Sequence, residues 1–395
     1  MSYSLDAIYK TSSWAIAKNS MALAALQQKA ATGLNIIRVS DDPVSSNQIL
    51  SLQDNSRSKE QYMARLDESL SVLDLSASVI QSVSGELSRA RASLTATLSG
   101  TTSPSLRGTL AADLNNAIEQ LVALCNTDRM GQYLFGGNNS QVPPYAVERD
   151  AYGRIIRVNY QGSYQEQKIE VVKGMELSAL MVGDELFRLD TPSTPQFYGA
   201  TGAAAGSGTS SVRGDVYLQV DGAPGNYRLS IDGGLSWTDV AAPAENIPVL
   251  HSQTGQVLYV NATGITQTGI EPIRVPGTYD LFNILISARD LLNNDKNLSD
   301  AQVVEMISAS VVDMQSVESK LVRAFPIVGG RIQAMTTLRD SIESIKANTD
   351  EEISRLYDAD VTQIAIDLAR YDVLYQMSLN IAAKMFKMSL LDFMK

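Results

Sequence analysis

The stretch IAIDLARYDVLYQMSLNIAAKMFKMSLLDF, residues 364–393, carries apolar side chains at two interlocking helical spacings and decides how the whole chain is read. Ile364, Leu368, Tyr371, Tyr375, Ala382 and Met385 form one row at alternating steps of four and three, with Ser378 in the remaining slot. Leu374, Met377, Ile381, Met388 and Leu391 form a second row beside it. At about 100° per residue the two rows take up roughly 220° of the circumference, leaving Asp372, Gln376, Asn380, Ala383 and Lys387 as the polar face. One partner helix cannot cover so wide an arc.

The magnitudes sharpen this point. Burying about ten such side chains is worth roughly 1.5–3 kcal/mol each. Ordering about forty residues costs on the order of 1–2 kcal/mol per residue in backbone entropy. The sequence therefore predicts that both termini are largely disordered in the free monomer and fold when neighbouring copies supply the missing walls. The opposite end of the chain supplies the first wall. From Leu5 to Thr32 there is no Pro or Gly, and Tyr9, Ile16, Leu23 and Ala30 fall seven apart, with Leu5 and Leu26 between them. Several alanines permit close packing, and no Asp or Glu occurs from Ala7 to Ser40. The competing interpretation is that these stripes pack only on each other, as an ordinary intramolecular bundle.

Working inward, Gly33 ends the first helix, and Asp41-Asp42-Pro43 offers an acidic cap and a proline for the start of the next. Leu66, Leu73, Ile80, Leu87 and Leu94 then repeat every seven residues as a long rod that stops near Gly100. A return helix carrying Leu106, Leu110, Leu114, Leu121 and Leu124 is expected to end around Gly131, with Cys125 buried inside it. The period then changes to two. Residues 154–160 and 167–173 read as a hairpin joined by Gln161-Gly162-Ser163. Residues 191–277 hold a low-complexity run and the strand-like segments 216–220, 227–231 and 257–260, a separate β-rich insertion. Helix resumes from about 279 to 293 and from 299 towards 347, with a break expected at Pro326 and Gly329-Gly330. A last helix is expected from about Glu351 to Asp392.

The predicted fold is mainly α with an inserted β domain, a discontinuous bundle of long helices formed by the two halves of the chain. Its terminal helices pair as a coiled coil. The expected divisions are residues 1–40 and 351–395 for the paired ends, 41–190 and 279–350 for the helical rods with their hairpin, and 191–278 for the outer insertion.

A formal net charge of -11 and a pI near 4.7 argue against nucleic-acid binding, which needs clustered Lys and Arg. One Cys and one His, Cys125 and His251, give no metal-ligand spacing and no internal disulfide. No cofactor is implied. The first thirty residues lack a continuous apolar core of the kind a cleavable signal has, and no membrane span is expected. Asp184, Glu185, Asp232 and Asp239 lie in turn-like sequence without a nucleophile, base or phosphate cradle nearby, so an enzyme is not expected. Asp232-Gly233-Gly234 suits a tight turn between strands, and Trp237 is a candidate for the core of the insertion.

The amphipathic first helix, Gly33-Leu34-Asn35-Ile36, Val39-Ser40-Asp41-Asp42-Pro43 and the closing Ser389-Leu390-Leu391-Asp392-Phe393 together resemble the flagellin superfamily. Asp41, Asp42 and Pro43, Leu134-Phe135-Gly136-Gly137, Tyr160-Gln161-Gly162 and Gly183-Asp184-Glu185-Leu186-Phe187 are similar to its FlgL-type branch of hook-associated proteins. The resemblance covers residues 1–190 and 279–395. It implies a structural protein exported by the flagellar type III apparatus without a cleavable signal, lying outside the cell as a ring one layer deep. The implied partners are further copies of the chain, FlgK on the hook side, flagellin on the filament side and an export chaperone. The implied assembly positions are Tyr9, Ile16, Leu23, Leu26, Ile364, Leu368, Tyr371, Leu374, Tyr375, Ile381, Met385, Met388 and Leu391. A filament flagellin is the alternative, against which Leu134-Phe135-Gly136-Gly137 speaks. A type III effector or translocator would call for a membrane-inserting stretch.

Overall fold

The computed structural model describes residues 2–98, 103–172, 174–178, 181–240 and 244–393. In chain order the elements are α1 (Ser2–Thr32), α2 (Pro43–Leu98), α3 (Pro104–Cys125), β1 (Asp128–Arg129), β2 (Gln132–Tyr133), β3 (Tyr145–Arg149), β4 (Ile155–Tyr160), β5 (Lys168–Val172), β6 (Met175–Ser178) and α4 (Gly183–Phe187). The insertion supplies β7 (Gln196–Phe197), β8 (Ala204–Ala205), β9 (Gly214–Ala223), β10 (Asn226–Ser230), β11 (Thr238–Val240), β12 (Ile247–Leu250), β13 (Val257–Asn261) and β14 (Gly269–Val275). α5 (Leu281–Asn293), α6 (Asp300–Tyr357) and α7 (Val361–Phe393) complete the chain. The fold is mainly α with a β insertion, as the periodicities predict.

Two compact units are formed, one from Met1–Arg65 with Leu338–Lys395 and the other from Leu66–Thr337. In the second unit Leu66, Leu73, Ile80, Leu87 and Leu94 of α2 are all buried, so the heptad row is the core seam. α6 answers it with buried Met306, Met314, Val317, Leu321 and Val328. The insertion is two antiparallel sheets, of order β11-β10-β9-β14-β7 and β12-β13-β8, sharing a core that includes Leu218, Leu229, Val249, Leu258, Val260 and Ile273.

Four local expectations are corrected. First, α3 stops at Cys125 rather than near Gly131: Asn126 caps it, its N–H still on the Val122 carbonyl at 3.0 Å, while its side-chain Nδ2 donates to the Tyr145 carbonyl at 2.8 Å and its Oδ1 accepts the Tyr145 N–H at 2.9 Å, tying the chain to β3. Cys125 is buried, and burial pushes its thiol well up. Second, β4 does not pair with the 167–173 run. It pairs with β3 around a turn in which Asp150 accepts the N–H groups of Tyr152 at 2.9 Å and Arg154 at 2.8 Å, while β5 pairs with β6. Third, α6 runs unbroken through Pro326, because Pro326, Gly329 and Gly330 all lie on its exposed side. Water there can take the carbonyl that proline leaves without a donor. Fourth, the real interruption comes at residues 358–360, and α7 starts at Val361 because the Asp360 carboxylate caps it, accepting from Thr362 N at 2.9 Å and Gln363 N at 3.1 Å. The end of the first rod near Gly100 lies outside the described residues.

Trp237 is also displaced from its expected place: it is half-buried outside the insertion's core, with the Arg228 guanidinium 4.4 Å above its ring. Asp232 organises the turn between β10 and β11 by accepting from Ser236 N at 2.9 Å and from the Ser252 hydroxyl at 2.7 Å. Burial alone would raise its pKa, but these bonds hold the carboxyl far below the usual range.

Candidate assembly interface

The first unit is built around α1 and α7. They run antiparallel, since Ser12 Oγ lies 3.4 Å from Met385 Sδ while Asn19 Nδ2 donates to Ser378 Oγ at 2.9 Å, and the ends of both helices meet at the connector. There Gly33, at φ +71°, closes α1 with its N–H on the Lys29 carbonyl at 2.8 Å. Asn35 N then donates to Tyr357 O at 2.8 Å, and Ala359 N donates to Gly33 O at 2.9 Å.

Asp41, Asp42 and Pro43 make the next corner. Asp41 Oδ2 accepts from Arg38 N at 3.0 Å, turning the connector back. Asp42 Oδ1 accepts from Val44 N and Ser45 N, each at 3.1 Å, and Pro43 opens α2. The Ser45 hydroxyl on its other oxygen, with the backbone bonds, lowers the Asp42 pKa. Across the first unit Ser56 Oγ donates to Asp350 at 2.6 Å and Lys59 Nζ to Thr349 at 3.1 Å, so α2 and α6 are also paired here.

The two predicted rows of α7 meet different fates. Ile364 is buried, and Leu368, Tyr371, Tyr375, Ser378, Ala382 and Met385 are half-buried. Facing them, Ile16, Leu23 and Leu26 of α1 are half-buried too. The described side chains of the second row stay in water: Leu374 is 38%, Met377 56% and Ile381 49% exposed. Ile366 at 58% and Val373 at 55% exposed extend that stripe. They were absent from both predicted rows, although their spacing of seven was a readable signal. On α1, Trp14 and Met21 are likewise exposed and seven apart, with the Lys18 ammonium 5.1 Å from the Trp14 ring. The side chains of Tyr9, Met388 and Leu391 lie outside the described residues, though their backbones are helical.

The motif Leu134-Phe135-Gly136-Gly137 belongs to the second unit and is a packing knot. Leu134 and Phe135 are buried, and the Phe135 ring meets Phe187 edge-on at 5.2 Å. Tyr160 OH and Gly183 N both donate to the Phe135 carbonyl at 3.0 Å, which explains why the three short motifs occur together. Gly137 has φ +58°, and an added Cβ would sit 2.6 Å from the carbonyl oxygens of Ser163 and Gln165. Gly137→Ala is expected to destabilise the second unit by about 2 kcal/mol or more, combining left-handed strain with a backbone clash. Gly131, at φ +79° with open space around it, isolates the strain, so Gly131→Ala should lower the thermal midpoint less. Equal midpoints for the two variants would refute the clash.

Among the described residues no group of three or more His, Cys, Asp or Glu side chains could hold a metal ion, and no helix is long and apolar enough to cross a membrane. What α1 and α7 offer is apolar surface left in water.

Comparison with known proteins adds the class. Residues 6–140 match the bacterial flagellin N-terminal helical region. Over 126 residues the chain is 28% identical to flagellar hook-associated protein 3 of Escherichia coli (strain K12), a match taking in 32% of this chain and 40% of that relative. The chain thus aligns with less than half the length of the curated relatives it matches. Its fold is similar to Xanthomonas campestris FlgL, with TM-score 0.50 and 19% identity over 74% of this chain and 97% of that one. It is likewise similar to flagellar hook associated protein-3 from Legionella pneumophila, with TM-score 0.51 and 17% identity over 78% and 99% of the two chains. The helical region matched at the N-terminus, whose α1 pairs with the C-terminal α7, is thus similar to that of bacterial flagellins. The curated relatives it resembles are hook-associated protein 3 chains, and the solved FlgL and hook associated protein-3 structures share its fold.

Proposed function

We propose that this chain is a structural, non-catalytic subunit of the bacterial flagellum that joins hook to filament and is held there by its terminal helices. The observation that supports this is the bare stripe of Ile366, Val373, Leu374, Met377 and Ile381 on α7. Each of these side chains is about half in water, so full cover by neighbouring copies adds roughly 1 kcal/mol apiece. That gain is comparable with the cost of ordering a few residues, and it turns a marginal helix pair into a stable wall.

The interface then consists of Tyr9, Ile16, Leu23 and Leu26 on one helix and the two rows of α7 on the other, repeated around a ring. FlgK fits the hook side and flagellin the filament side. Before assembly the same apolar faces need shelter, which suits an export chaperone. A chain whose ends order only on docking also suits passage, unfolded, through a type III apparatus to the outside of the cell.

The test is a strain of the source bacterium in which Met377→Asp and Ile381→Asp replace the wild-type chain. Two carboxylates in a covered apolar seam are worth several kcal/mol against assembly. Retention of the chain in isolated flagella should fall about a hundredfold, with the excess in the medium. Purified variant should melt as the wild type does. Wild-type retention of the variant would overturn the proposal.

A further inference from the structure

The second unit carries an apolar side chain in an unusual place. β1 and β2 are joined by Met130-Gly131, with φ +53° and +79°, and Met130 is 87% exposed. Two successive left-handed residues make the tight hairpin turn in which Asn-Gly is relaxed and a methionine is not. Asp128 Oδ2 pins the turn further by accepting from Gly131 N at 3.1 Å. A strained turn thus holds a flexible thioether out into solvent, where it does nothing for its own fold.

The same unit holds a recess to match. Between α4, the chain after it and α6 lies a cavity of about 450 Å³ whose floor includes Leu186, Leu189 and Ala324, with half-exposed Ile327 at its edge and Glu166, Asp190, Lys320 and Arg331 also on its wall. Glu185 and Arg323 stand at its rim, both exposed and, among the described residues, without a hydrogen-bond or ion-pair partner. They are of opposite sign, as are Asp128 and Arg129, which precede Met130.

We infer that Met130 of one copy docks into this recess on the next copy, with Asp128 towards Arg323 and Arg129 towards Glu185. An unbranched thioether adapts to an irregular aliphatic floor. Knob and recess are different patches of one chain, as a head-to-tail ring requires and a two-fold dimer does not. The inference rests on the ring assembly proposed above and adds the contact that sets neighbours side by side.

Two full-length variants test it in the source bacterium. Met130→Asn relaxes the turn, so its thermal midpoint should equal or exceed that of the wild type, yet its retention in isolated flagella should drop about tenfold. A knob that served only the fold would give the opposite pattern. The paired substitution Met130→Cys with Ile327→Cys should yield disulfide-linked multimers in isolated flagella under oxidation, while each single substitution should not. Wild-type retention of Met130→Asn, or a retained double-cysteine chain without cross-links, would overturn this contact and leave the flagellar role standing. Absence of the wild-type chain from flagella would overturn both.

Discussion

Arg274→Leu should lower the stability of the second unit by roughly 3–5 kcal/mol, since it leaves buried carboxylates without their counter-charge. Arg274 is fully buried on β14, directly across the sheet from Asp215 on β9. Its guanidinium lies 2.9 Å from Asp313 on α6 and 3.5 Å from Asp215, and it stacks 4.4 Å from the Tyr279 ring. Asp215 also accepts from the hydroxyls of Tyr279 and Ser287. Burial alone would pull the guanidinium's pKa down, but the two carboxylates and Tyr279 carry it above its usual value. Burial also raises the Asp313 pKa despite the arginine beside it. The cluster links strand, loop and both neighbouring helices, so its loss loosens the insertion from the rods. The midpoint of the full chain's main thermal transition should fall by roughly 10 °C. Arg274→Met with Asp313→Leu should recover part of the loss, because it removes one of the two stranded carboxylates and leaves only Asp215, which still accepts from Tyr279 and Ser287. A midpoint within about 2 °C of wild type for Arg274→Leu would show that the cluster holds nothing together.

That cluster was invisible in the sequence, and the reason is physical. Arg274, Asp215 and Asp313 come from three elements separated by long stretches of chain, and only the register of β9 with β14 makes neighbours of the first two. β14 itself was missed because Pro272 discourages a strand reading. The structure places Pro272 just past the two-residue pairing of β14 with β7, where its carbonyl still accepts from Tyr198 N at 2.9 Å and the N–H it lacks ends the ladder. Local signals fared better. The buried row from Leu66 to Leu94, the cap at Asp42 and the start of α2 at Pro43 follow from spacing and capping chemistry alone. Pro326 and the two glycines after it carry an equally local signal, yet α6 does not break there, because solvent exposure is a tertiary property that residue type does not encode. The width of the apolar arc on α7 was legible, and its division into a covered and a bare half became visible only once α1 was in place. Ile366 and Val373 then joined the bare half.

Truncation after Asp360 should abolish retention in the flagellum while leaving the second unit's melting unchanged, giving cells that shed flagellin instead of holding filaments. The cut removes α7 entirely and spares Tyr357, whose carbonyl anchors the connector through Asn35 N at 2.8 Å. The decisive readout is the far-ultraviolet helix signal of the purified chain. α1 and α7 hold 31 and 33 helical residues. A pair that is rigid in isolation loses both on truncation, since α1 without its partner has no apolar wall and an isolated helix of that length is marginal in water. A pair that orders only against neighbouring copies is already mostly unfolded in the free chain, and truncation then removes little signal. The exposed stripe from Ile366 to Ile381 favours the second outcome, because the covered row alone offsets only part of the ordering cost. Loss of the full helix signal, together with slow amide exchange across both helices in the intact free chain, would mean that the ends are rigid before assembly. The bare stripe would then be a preformed docking face, and folding coupled to assembly would have to be abandoned.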